Sequence, residues 1–125
     1  MGKTGERRQL AERRGRHGEA LAALLLCCKG YRILGRRVRT RAGEIDLVAQ
    51  DGDTVVFVEV RFRASDAFGT PQETVTAAKR RRLVKTARFW VQARRMDAPM
   101  RFDVVALSPK GTLHIPAAFD ANGAV

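Results

Sequence analysis

A chain of 125 residues with a formal net charge of +11 and a pI near 11.2 is expected to form one domain, long enough to bury about two-thirds of its unfolded surface without disulfides. The charge predicts an anionic partner, nucleic acid first and an anionic membrane surface second. No apolar run is long enough to span a membrane, and the adjacent Cys27 and Cys28 exclude a loop-closing disulfide framework, which points to a reducing, cytoplasmic setting.

Residues 1–16 are polar and basic, with Arg7, Arg8, Arg13, Arg14 and Arg16 against Glu6 and Glu12. They read as a flexible N-terminal arm, and functionally as one that orders on a phosphate backbone. The basic stretch before Ala20 to Cys28 mimics a secretory signal, but no small-residue cleavage site follows, and Lys29-Gly30 ends the apolar run as a helix C-terminus does. His17 to Lys29 is the predicted first helix, with Leu21, Leu24, Leu25 and Cys28 as its apolar stripe. Glu19 stands near its N-terminus, where the helix dipole favours a carboxylate, and Gly30 supplies the C-cap. Tyr31 to Val38 is a candidate strand. The loop from Arg39 to Gly43 then places Arg39 and Arg41 where they neutralise the acidic residues that follow or grip phosphates.

Gly43 to Arg61, GEIDLVAQDGDTVVFVEVR, reads as two strands about a turn at Asp51-Gly52-Asp53. Either two-residue loop, Asp51-Gly52 or Gly52-Asp53, puts Glu44, Asp46, Phe57, Glu59 and Arg61 on one face. Ile45, Leu47, Val56, Val58 and Val60 fall on the other, the expected core. With the second loop Asp46 directly opposes Glu59. Two neighbouring carboxylates repel, so one must protonate or find a cation. A hard divalent ion, Mg2+ or Mn2+, held by Asp46, Glu59 and the backbone carbonyl of Val60 resolves that conflict. The alternative is an exposed sheet face on which Glu44, Asp46 and Glu59 pair with arginines.

Phe62 to Thr74 is a predicted loop containing Ser65, Gly69 and Pro71, with Arg63 on the face of Arg61. Gln72 and Glu73 open a second helix, or Thr74 or Thr76 caps it, and it runs to about Arg95. Leu83, Ala87, Trp90 and Arg94 follow helical spacing with Val84 and Val91 alongside, a core stripe in which Trp90 is a packing anchor. The opposite surface carries Lys79, Arg80, Arg81, Arg82, Lys85, Arg88, Arg94 and Arg95, with no acid from Thr76 to Arg95. Such a helix repels itself, which predicts a phosphate-binding surface. Asp97-Ala98-Pro99 is a turn. Met100 to Leu107 is a strand carrying Asp103 as a lesser acidic candidate, Pro109-Lys110-Gly111 is a hairpin turn, and Thr112 to Ile115 is a short closing strand. His114 stands alone and reads as structural. The order helix, three strands, helix, two strands predicts an α/β (α+β) sandwich with a mixed central sheet of about five strands flanked by helices. Residues 17–119 form that domain and 120–125 a C-terminal tail.

The words GRHGEALAALLL, GYRILGRRVRTRAGEIDLVAQDGDTVVFVEVR and FGTPQETVTAAKRRRL resemble the YraN-like family of small uncharacterised bacterial proteins over about residues 15–119. Asp46, Glu59-Val60-Arg61 and the upstream helix bearing Glu19 resemble the PD-(D/E)XK nuclease superfamily. The resemblance implies a restriction-endonuclease-like core. It also implies that Glu19, Asp46 and Glu59 are the superfamily's acidic residues, with Gln72 or Glu73 as a further polar group. Arg61 departs from the pattern, standing where the superfamily lysine belongs. Arginine supplies a fixed cation but no general base. Lys79 becomes a migrated lysine only if its helix packs across the acidic face.

The leading expectation is therefore a Mg2+- or Mn2+-dependent endonuclease acting on DNA before RNA, with branched or flapped DNA among the candidate substrates. Glu19, Asp46, Glu59 and Arg61 are its expected catalytic residues, with Glu19, Asp46, Glu59 and Val60 about the metal. Arg39, Arg41, Arg63, Gln72, Lys79, Arg80, Arg81 and Lys85 are the expected nucleic-acid contacts. The second expectation is a module of the same fold that binds DNA or RNA without cleaving it, and the third is a basic scaffold on ribosomal RNA or an acidic partner. No membrane partner is expected, and a monomer and a homodimer remain equal readings.

Overall fold

The computed structural model describes residues 3–63 and 75–125, with side chains from Arg16 onward. The expected contacts Gln72 and Glu73, the alternative cap Thr74 and most of the 62–74 loop lie outside the described residues, as do the side chains of 1–15. In order the elements are helix α1 (Lys3–Cys28), strands β1 (Arg32–Thr40), β2 (Gly43–Asp51) and β3 (Thr54–Phe62), helix α2 (Ala77–Ala93), and strands β4 (Met100–Ser108) and β5 (Gly111–Phe119). The five strands form one mixed sheet in the order β1-β2-β3-β4-β5. All neighbours are antiparallel except β3 and β4, which α2 connects as a parallel pair. This is the α+β architecture of a restriction-endonuclease-like core.

The turn chemistry is local. Asp51 pairs with Thr54, so Gly52-Asp53 is the loop, with Gly52 at φ 60° as type II′ turns require. Gly30, at φ 90°, ends α1: its N–H donates to Cys27 O (3.0 Å) and that of Tyr31 to Leu26 O (2.9 Å), the paired bonds of a Schellman motif. Thr76 caps α2, its Oγ1 accepting from Lys79 N at 3.2 Å.

Three sequence expectations are corrected. Both faces of the sheet are core, since α1 covers one and α2 the other. Leu47, Ala49, Val56, Val58, Val105 and Leu107 pack under α1, while Val48, Val55, Phe57, Phe102 and Val104 pack under α2. Ile45 joins the α2 side rather than that of Leu47. The alternation breaks opposite Arg37, whose φ is 50°.

α1 also starts earlier and faces differently than expected, its helix taking in residues 3–16. Its buried stripe is Gly18, Glu19, Ala22, Ala23 and Leu26, while Leu21 and Leu24 are 53% and 61% exposed. Small residues win because the helix lies close to the sheet: a Cβ on Gly18 would stand 2.5 Å from the Phe62 ring and 3.0 Å from Leu107. Finally, β5 extends to Phe119, with Ala117 at φ 50° and its N–H donated to Asp103 Oδ1 at 3.0 Å.

Candidate active site

The Gly52-Asp53 loop fixes the register in which Asp46 stands across from Glu59, and the ladder ends there. Regular pairing stops at Leu47 and Val58, and beyond it the Val60 N–H donates to Asp46 Oδ2 at 2.8 Å. Asp46 thus takes the place of a backbone acceptor at the point where β2 and β3 separate. Its carboxyl is pushed up to about 7, first by burial and then by the charge of Glu59. The Val60 N–H and the Lys79 ammonium oppose that rise.

Glu59 is 4% exposed and shares the α2 face with Phe57, which packs edge-on against Trp90 at 5.8 Å. Burying a carboxylate here requires a cation, and α2 brings one. Lys79 Nζ lies 2.7 Å from Glu59 Oε1, and Arg61 Nη1 is 3.8 Å from the same oxygen. The helix does pack across the acidic face, and this is what sets Lys79 beside Glu59. Thr76 aims it, because the cap sets the first turn of α2 from which Lys79 projects.

Glu19 stands on α1, which covers the other face of the sheet. It is buried on α1, and both its oxygens accept from Arg37 Nε, at 3.1 and 3.0 Å. That bond comes first among the causes that raise the Arg37 guanidinium above its ordinary value, with Glu44 and Asp46 adding their charges. Glu19 is therefore tied to Arg37 rather than joined to the Asp46–Glu59 pair. Among the described residues no three carboxylate, imidazole or thiol groups converge as a metal-binding set. Asp103 stands apart, fully buried on the α1 side, where it accepts from Arg101 (2.9 and 3.1 Å) and pairs with His114 Nε2 (2.7 Å).

The expected phosphate contacts are spread around this pair. Arg39 is exposed and pairs with Glu44 at 3.3 Å, and Arg41 is exposed in the β1–β2 turn. That turn and α2 border a groove lined by Ala42, Gly43, Glu44, Lys79, Arg82 and Thr86. Arg63 continues the β3 edge, its N–H donating to Leu107 O at 2.8 Å. Arg81 and Lys85 are exposed on α2. Arg80 holds the C-terminal turn instead, donating to Gly123 O at 2.7 Å and to Val75 O.

The model of the family described as "Uncharacterised protein family UPF0102" matches residues 18–107, most of the chain. The chain belongs to the UPF0102 family. This is the YraN-like group of the PD-(D/E)XK-like nuclease superfamily. A UPF0102 protein of Anaeromyxobacter dehalogenans is 50% identical over 115 residues, covering 87% of this chain and 85% of the relative. One of Symbiobacterium thermophilum is 50% identical over 101 residues, 80% and 86% of the two chains. One of Thermodesulfovibrio yellowstonii is 43% identical over 105 residues, 84% and 94% of them.

The UPF0102 fold also assembles a residue that sequence reasoning missed. Arg37 is one arginine in a basic strand, and nothing in its spacing marks it as the partner of Glu19. Arg82, expected on the basic surface of α2, lines the groove with Lys79, three residues before it on the same flank.

Proposed function

We propose that this UPF0102 chain is a cytoplasmic, divalent-metal-dependent phosphodiesterase acting on nucleic acid, DNA before RNA, and on branched or flapped DNA in particular. The observation that carries the reading is Lys79 Nζ at 2.7 Å from Glu59, beside an Asp46 carboxyl pushed up to about 7. A carboxyl in that state is short of positive charge, and its oxygens together with those of Glu59 suit a hard ion. The residues present thus fit Mg2+ or Mn2+, with Asp46, Glu59 and the Val60 carbonyl as donors and Glu19 behind them through Arg37. Such an ion supplies Lewis-acid polarisation of the scissile phosphate and acidifies water.

The chain's own groups do the rest. Val60 N–H fixes one oxygen of Asp46. Lys79 pairs with Glu59 and, with three N–H donors, has donors left over for a phosphate oxygen. Arg61 adds a fixed positive charge on the same carboxylate. The exposed arginines of the β1–β2 turn and of α2 grip the flanking phosphates.

The test is Mg2+- and Mn2+-dependent cleavage of labelled branched, flapped and linear DNA, and of RNA, with Glu59→Ala as the blank. Metal-dependent products absent from the blank support the reading. Binding without products on every substrate supports instead a non-cleaving module, the second reading. Arg61, which supplies a fixed charge but no general base, favours that reading.

A further inference from the structure

We propose that the outer face of α2 is a single-strand-binding groove in which an unpaired base stacks on Phe89 while Arg81, Lys85 and Arg88 hold the adjoining phosphates. The two neighbouring aromatic residues of α2 have different fates. Trp90 is 4% exposed and serves the core, whereas Phe89 is 37% exposed. Phe89 lies in a groove with Arg81, Lys85, Arg88, Gln92 and Asn122. Arg81, Lys85, Arg88 and Gln92 follow one another at i, i+4, i+7 and i+11, so they form one stripe.

The groove has a built wall. The turn after β5 is closed by Asp120 Oδ1, which accepts from Asn122 N (2.8 Å) and Ala124 N (2.9 Å). It is latched to α2 by Arg88 to Ala121 O (3.2 Å) and Arg80 to Gly123 O (2.7 Å). Arg88 retains other N–H donors beyond the one it gives to Ala121.

The occupant follows from the chemistry. Cations at helical spacing without an acid among them repel one another until an anion intervenes, and a phosphate chain supplies anions at regular intervals. A phenyl ring set among those cations adds nothing for duplex, whose base faces are already stacked inside the helix. For a single strand it supplies a stacking platform that tolerates any base. Position points the same way. Lys79, Arg82, Thr86 and Phe89 fall at i, i+3, i+7 and i+10, along one flank of α2. The ten residues from Lys79 to Phe89 span about 15 Å, or roughly four stacked nucleotides. One strand can therefore run from the acid pair, past Arg82, to Phe89.

The groove rests on the proposed nucleic-acid partner and continues the path of the strand beyond the acid pair, but binding there needs no metal, so it is tested with chelator present. Fluorescence anisotropy compares a short labelled oligodeoxythymidylate with a duplex of the same length, for the full chain and for Phe89→Leu. The variant is expected to lose about 5-fold or more in affinity for the single strand, with the duplex unchanged. Arg81→Ala with Lys85→Ala is expected to weaken both ligands and to flatten the single-strand salt dependence by about 0.7 for each phosphate no longer neutralised. Photocrosslinking of an iododeoxyuridine-substituted strand is expected to label the peptide containing Phe89. Failure of the full chain to bind the single strand, an equal loss on both ligands in Phe89→Leu, an unchanged single-strand affinity, or crosslinks confined to other peptides each overturn it. Absence of cleavage with metal overturns only the phosphodiesterase reading, so the two failures are distinguishable.

Discussion

Lys79 Nζ sits 2.7 Å from Glu59 Oε1 and so joins the first turn of α2 to the middle of the sheet. Glu59 is 4% exposed, and its other basic neighbour, Arg61, is 3.8 Å away. A buried carboxylate deprived of its close cation loses far more than a surface pair would.

Lys79→Met, which keeps the apolar stem, should therefore destabilise the chain by about 2–4 kcal/mol at pH 8. Urea denaturation at that pH measures it. If the protein cleaves, the same variant should lose about 10²- to 10⁴-fold in rate.

Asp46→Asn should behave in the opposite way without metal. The folded-state value of Asp46, about 7, lies above its ordinary 3.8. Between the two, the folded chain holds a proton that the unfolded chain has released. Its contribution to stability is therefore present in full below about pH 4 and is lost as pH rises through about 7. Asparagine keeps an acceptor for the Val60 N–H and removes the charge. The variant should match the parent near pH 4 and exceed it by about 1–3 kcal/mol at pH 8. Mn2+ should raise the parent's Tm and not the variant's. A variant less stable than its parent at pH 8 would make Asp46 a structural ion-pair partner.

If the protein cleaves, Arg61→Lys should leave the rate nearly unchanged, because Lys79 already places an ammonium on Glu59. In a Lys79→Met background the same substitution should recover part of the lost rate, since lysine can shift its pKa beside carboxylates and arginine cannot. Recovery by Arg61→Lys alone, with Lys79→Met silent in effect, would transfer the role from Lys79 to position 61.

Gly43→Ala should loosen the β1–β2 turn from α2. A Cβ there would meet Thr86 Oγ1 at 2.8 Å, on a backbone with φ of 152°. The expected loss is about 1–3 kcal/mol, and Thr86→Ala should restore part of it by clearing the contact. Thermal denaturation of the single and double variants checks both steps, and additive losses would rule out the contact.

Much of the fold was legible because it is local: period-two strands, the Gly52 turn, the Gly30 cap and the core stripe of α2. The acid face was legible for the same reason, since parity alone places Asp46, Phe57 and Glu59 together. What escaped was long-range. Leu21 and Leu24 looked like the core of α1, yet close approach to Phe62 and Leu107 favoured Gly18 and Ala22. That Lys79 would meet the acid pair was only conditional, because it depends on which face α2 covers. His114 was read as structural without a partner, and the buried Asp103 that receives it lies on another strand.

The connection through α2 also sets an order of events. Asp46 and Glu59 meet by closing a hairpin, whereas Lys79 arrives only with the helix that links β3 to its parallel partner β4. Hairpins close on short loops, and parallel pairing across a long connection is the slower step. An incompletely folded chain therefore holds its two acids together without the lysine. Completion of the last structural layer is what brings Glu59 its closest cation, so the acid pair waits on the docking of α2 and β4.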